Sequence, residues 1–104
     1  MLWKRPVYTP AREQTVAHCP PSLLDDIADV LADVRSWPGI VEKSPGVFYS
    51  RRQPFLHFHL VEGGRRRADV KGHAGWTSLD LPRPISPTRR RAFQRLLERH
   101  YREK

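Results

Sequence analysis

A single cysteine, Cys19, is all that 104 residues provide. No intrachain disulfide can form, and a reducing, cytoplasmic setting is expected. Long apolar runs are missing as well. No segment approaches the ~18 to 20 apolar residues of a membrane span, and the opening M-L-W-K-R-P-V-Y has no apolar stretch of signal-peptide length. A soluble protein with no membrane partner is expected. Also absent are a G-x-S-x-G elbow, a phosphate-binding glycine loop and a C-x-x-C pair. The commonest routes to a nucleophile, a nucleotide cradle or a redox dithiol are thereby closed. Lysine is scarce, and acids are outnumbered: 19 Lys+Arg stand against 11 Asp+Glu, a net charge of +8. That surplus favours anionic partners, nucleic acid or a phosphorylated ligand. An arginine-, alanine- and proline-rich composition is also what GC-rich coding produces.

What is present fits one domain. A chain of this length buries roughly two-thirds of its unfolded surface, and 38% hydrophobic residues suffice for one core layer. Residues 1–21 read as an arm, because Pro6, Pro10, Pro20 and Pro21 exclude a helix and V-Y-T at 7–9 offers a short edge strand. Trp3 and Tyr8 mix there with Lys4, Arg5 and Arg12, which suits nucleic acid or a segment laid on its own domain. The domain proper is assigned to 22–104. Ser22 with Asp25 three residues on reads as a helix N-cap. Leu23, Ile27, Val30, Leu31 and Val34 then recur at helical spacing, and Trp37-Pro38-Gly39 ends the run. Asp25, Asp26, Asp29 and Asp33 line its outer face, expected to be solvated. A second helix starts at Ser86 with Pro87 in its first position. Phe93, Leu96, Leu97, His100 and Tyr101 form its inner stripe, and Arg91, Arg95, Arg99 and Arg102 its outer one.

Between the helices, residues 46–81 read as an antiparallel meander: G-V-F-Y-S, P-F-L-H-F-H-L-V, R-R-A-D-V-K and W-T-S-L-D-L, joined by short turns. Side chains alternate faces along a strand. Leu56, Phe58 and Leu60 therefore look inward, while Phe55, His57, His59 and Val61 share the opposite face. A three-residue turn, Gly63-Gly64-Arg65, keeps one face apolar by pairing Leu60 with Ala68 and Phe58 with Val70. It sets His59 opposite Asp69 and His57 opposite Lys71. Trp76, Ser78 and Asp80 join the histidine face, and Leu79 and Leu81 point inward. The fold expected is α+β: a two-layer sandwich whose four-stranded antiparallel meander, five-stranded with the arm, carries an N-terminal and a C-terminal helix on one face.

Two candidate sites emerge. The first is a ligand-binding face of His57, His59, Asp69, Lys71, Trp76 and Ser78. Two imidazoles on one side of a strand suit a metal, with Asp69 or His73 as a further ligand, or a phosphate, or a proton transfer. A lysine opposite His57 works against a metal, and no Cys or Glu stands at cupin-like spacing. No cofactor is expected and no catalytic residue is assigned. The second candidate is an anion site built by the Arg65, Arg66 and Arg67 turn together with Arg83, Arg89, Arg90 and Arg91. Arginines in a first helical turn oppose the helix dipole by a few tenths to ~1 kcal/mol each, and a bound anion would remove the conflict. The function expected is a non-enzymatic binding module for an anionic partner. The alternatives are a small-molecule or metal site, with or without enzymatic activity, around His57 and His59, and a homodimer formed through the sheet face.

The order helix, antiparallel sheet, helix resembles the two-layer sandwich of frataxin-like and MmcQ/YjbR-like proteins. The string A-D-V-K-G, followed by Gly75-Trp76 and a final helix containing L-L, is similar to the closing half of frataxin. Frataxins have a longer acidic ridge on the first helix and are acidic overall, whereas this chain is basic. The strings L-H-F-H, A-D-V-K, G-W and L-L-E-R-H-Y also resemble small uncharacterised bacterial proteins, some with a luciferase-like domain name that implies no light emission. The resemblance spans about residues 38–102 and implies a fold, not an activity.

Overall fold

The computed structural model describes residues 15–103. Its centre is β4, Gln53–Val61, the strand that carries the two histidines. Around it an antiparallel sheet is ordered β2 (Ile40–Ser44), β3 (Val47–Ser50), β4, β5 (Arg65–Gly72) and β6 (Gly75–Leu81). A further short strand, β1 (Thr15–His18), pairs with the second half of β4, on the edge whose first half β3 occupies. Six strands result among the described residues, rather than four or five. The addition is β2, which turns into β3 across Pro45-Gly46; Gly46 takes φ +79°, and a Cβ there would lie 3.2 Å from Leu24 Cδ1. The residues 7–9 assigned to an edge strand lie outside the described residues.

Both helices lie on one face of this sheet, so the fold is the α+β two-layer sandwich. Val30, Leu31 and Val34 of α1 (Ala28–Arg35) and Phe93, Leu96 and Leu97 of α2 (Pro87–Arg102) pack on Phe48, Leu56, Phe58, Ala68 and Val70. The start of α2 is as its sequence dictates: the Ser86 hydroxyl accepts the Arg89 N–H at 3.2 Å with Pro87 following. The first helix is not. Pro20 holds the N-cap position and Pro21 the first helical one, so Ser22 already lies inside the helix and cannot cap it. The chain enters as a 3-10 helix, Pro21–Ile27, before α1 begins.

Alternating burial along β4 holds from Leu56 to His59 and fails at both ends: Phe55 is fully buried, and beyond His59 the expected inward Leu60 is only partly buried while Val61 is 4% exposed. Phe48 pairs with Leu56 but Tyr49 pairs with Pro54, so Phe55 is the extra residue of a β-bulge. The bulge turns Phe55 inward beside Leu56, and both are fully buried. Phe55 therefore belongs to the core, edge-on to Tyr101, and not to the histidine face.

The β4–β5 hairpin also differs from expectation, by two residues. Its turn is Glu62–Gly64, with Gly63 and Gly64 taking the two left-handed positions (φ +81° and +75°). Arg65 is thus the first residue of β5, opposite Val61, and His57 faces Asp69 while His59 faces Arg67. Both three-residue turns keep the same residues on the same face, so apolar patterning does not choose between them. The paired glycines do.

Parity sends Arg66 into the sandwich, where it is 1% exposed. Its five N–H donors meet five acceptors: Leu81 O, Leu23 O, Pro82 O and both oxygens of Asp26, at 2.7 to 3.0 Å. Burial pushes the Asp26 carboxyl upward, but hydrogen bonds from Arg66 and the Ile85 N–H outweigh it and hold the group below its ordinary value. Of the remaining acids, Asp25 and Asp29 are solvent-exposed, as expected of an outer face, yet each also has a partner. Asp25 binds Arg83, Asp29 binds Arg90 and Asp33 accepts from Gln94, at 2.7 to 3.0 Å. This row of carboxylates docks the first helix against the β6–α2 connection and α2 itself.

Candidate functional site

The second face of the sheet carries no helix among the described residues. Strand alternation and register put His18 (β1), Tyr49 (β3), His57 and His59 (β4), Arg67, Asp69 and Lys71 (β5), and Trp76, Ser78 and Asp80 (β6) on it. The expected ligand-binding group, His57, His59, Asp69, Lys71, Trp76 and Ser78, is therefore brought together. Val41, paired with Tyr49, extends the face onto β2.

Five aromatic rings run across it. Tyr49 and His57 have centroids 6.5 Å apart, and His57 and Trp76 5.5 Å. His57 also meets His59 at 6.3 Å, and His59 stacks on His18 at 5.9 Å. Ammonium groups sit over the two ends of the row, Lys43 Nζ 5.1 Å from the Tyr49 ring and Lys71 Nζ 5.8 Å from the Trp76 ring. Burial on the sheet pushes His57 and His59 below the ordinary imidazole pKa, against the opposing pull of Asp69, with Arg67 adding to the depression at His59. His57 Nε2 is buried without a hydrogen-bond partner among the described residues.

Asp69 is the polar centre of the face. It lies 3.1 Å from His59 Nε2, accepts a fork from Arg67 at 3.1 and 3.3 Å, and accepts the Ser78 hydroxyl at 2.7 Å. Ser78 thus donates to the carboxylate, and among the described residues no imidazole accepts from its hydroxyl. Among the described residues no three His, Cys, Asp or Glu side chains are placed to hold an ion. His73 stands in the β5–β6 turn, where its N–H donates to Glu103 Oε1, and stays out of the cluster.

The arginine cluster is brought together only in part, and not as a set of free cations. Arg65, Arg66 and Arg83 line a hollow of about 380 Å³ with Gly63, Gly64, Asp80, Leu81 and Pro82. Yet Arg66 is buried on Asp26, Arg83 is bound to Asp25, Arg90 to Asp29 and Arg67 to Asp69, and Arg65 lies 3.8 Å from Asp80. Arg89 and Arg91 alone of the seven have no carboxylate partner among the described residues. The negative charge that the start of α2 calls for is supplied from within: Asp26 accepts the Ile85 N–H at 2.9 Å, and Asp29 neutralises Arg90.

Sequence reasoning missed His18, Tyr49, Lys43 and Val41. For His18 the only signal was the short T-V-A-H run ahead of Pro20; for Val41 and Lys43 it was I-V-E-K-S, too short and mixed to read as a strand. Another unforeseen feature is the β3–β4 turn, where Arg51 and Arg52 take φ +51° and +73°. Matched against family models, curated proteins and solved structures, the chain finds no counterpart. No helix among the described residues is long and apolar enough to cross a membrane.

Proposed function

We propose that this protein is a non-enzymatic binding module for an anionic partner, nucleic acid before a phosphorylated small molecule, and that the partner is taken on the open sheet face. One observation carries the reading. The two large hydrophobic side chains most exposed among the described residues, Val41 at 54% and Trp76 at 48%, both lie on that face. The ring row joins them, and Lys43 and Lys71 flank it. An exposed apolar patch edged by cations, on a chain of net charge +8, complements a partner with flat rings and negative charge. The arginines around the start of α2 lose the leading role because carboxylates of the first helix already hold three of them. The test is a titration of labelled DNA and RNA oligonucleotides at two salt concentrations. Affinity should fall with the logarithm of salt by about 0.7 to 0.9 per phosphate neutralised. No binding even at low salt would end the proposal.

A further inference from the structure

We infer that the occupant of this face is a single strand, whose unpaired bases stack on Trp76, His57 and Tyr49 while Lys71 and Lys43 take its phosphates; the inference rests on the reading above and narrows it. In a duplex the base faces are consumed by stacking, and only edges and phosphates are offered to a protein. A row of rings on a sheet surface has nothing to stack on there. Unpaired bases expose π-faces, and aromatic platforms edged by cations are how proteins hold them without reading sequence.

The row matches that task in extent and composition. It runs from Val41 on β2 to Trp76 on β6, four strand spacings or roughly 19 Å across the sheet. Tyr49, His57 and Trp76 are tilted 33° and 54° to their neighbours rather than stacked upon one another. Trp76, half exposed, keeps ring surface open. Each end of the row has an ammonium over a ring. A base arriving on Trp76 takes the ring face from Lys71, and the displaced ammonium is then beside the phosphate of the same nucleotide. Lys43 and Tyr49 repeat the arrangement at the other end. Asp69 does not repel the strand, because Arg67, Ser78 and His59 converge on its oxygens.

The experiment measures binding of labelled thymidine and uridine homopolymers of about 12 nucleotides, and of a duplex of equal length, to the full chain at two salt concentrations. The single strands should bind at least ~10-fold tighter than the duplex, with a salt slope of about −0.7 per phosphate contacted. Trp76→Ala should cost about tenfold in affinity and Trp76→Phe should restore most of it, since stacking needs only an aromatic face. Lys71→Gln and Lys43→Gln should each flatten the slope by about 0.7. Lys43 and Trp76 stand exposed and Lys71 half-buried on the open face, and unchanged melting curves will show that the fold is intact. A duplex that binds as tightly as the single strands, with Trp76→Ala indifferent, overturns the single-strand inference while leaving the anionic module standing. Failure of every oligonucleotide to bind at low salt overturns both.

Discussion

Arg66 and Asp26 should be the most sensitive pair in the protein to substitution. The guanidinium is 1% exposed and the carboxylate 17%, and together they tie the 3-10 helix and the end of β6 to β5. Asp26→Ala would leave a buried cation with three backbone acceptors and no counter-charge. Arg66→Met would fill much of the volume but strip Leu23 O, Leu81 O and Pro82 O of their donor. Removing one partner of a buried ion pair costs about 3 to 5 kcal/mol, a large share of the ~5 to 15 kcal/mol that holds a domain together. At about 4 to 5 °C per kcal/mol for a chain of this size, either variant should melt roughly 12 to 25 °C below the wild type. Circular dichroism melts at neutral pH, repeated as urea titrations, supply the measurement. Arg66→Lys should fall between, because three donors on a point charge cannot serve five acceptors. The pH dependence follows with a definite sign. Asp26 has its carboxyl pKa lowered by folding, so its contribution is full above the unfolded value of ~3.9 and is lost as pH falls through the folded one. Asp26→Asn should lack that component. If both Asp26→Ala and Arg66→Met melt within about 1 kcal/mol of the wild type, the buried knot is not what joins the two layers.

Other expectations can be checked with the same melts. His57 and His59 have pKa values lowered by burial, so the folded state resists their protonation; stability should hold above the unfolded value of ~6.5 and decline as pH falls below it. His57→Phe should blunt that decline, and a stability profile flat from pH 7 to 5 would contradict the placement of the imidazoles. The turn residues Arg51 and Arg52 sit in left-handed backbone that suits Asn-Gly, so replacing them with that pair should raise stability by about 1 to 2 kcal/mol. A loss on that substitution would mean the arginine side chains hold the hairpin by contacts of their own. Gly72→Ala would bring a Cβ within 2.7 Å of the buried His100 Nδ1 and 2.8 Å of Glu103 Oε1, at a cost of about 1 to 3 kcal/mol. Adding His100→Ala should recover part of that loss, measured as a double-mutant cycle.

Much of this was written locally in the chain. The period-two alternation of β4 and β6 places His57, His59, Trp76 and Ser78 on one face without knowledge of the partner strands, and S-P at 86–87 starts α2 by itself. What escaped depends on long-range geometry. Two hairpin registers share one parity, so the choice between Asp69 and Lys71 as the neighbour of His57 rests on which residues take the left-handed turn positions. The Phe55 bulge arises from how β3 meets β4 and leaves no periodic trace. Charge pairing was the least legible feature. Asp25 and Asp29 stay exposed, as a solvated ridge should, and Asp26 alone is drawn inward, but their pairing with Arg83, Arg90 and Arg66 leaves no local trace. They lie roughly 40 to 60 positions apart in sequence, and only the folded sandwich makes them partners of each other.

Binding is expected on the open sheet face and not at the arginine-rich start of α2. An amide-resolved NMR titration with a thymidine homopolymer tests it in one experiment. The predicted result is that the Trp76 indole N–H and the amides of Tyr49, His57, His59 and Lys71 shift together, while those of Ser86, Arg89 and Arg91 stay still. Shifts concentrated at Arg89 and Arg91, with Trp76 unmoved, would contradict it.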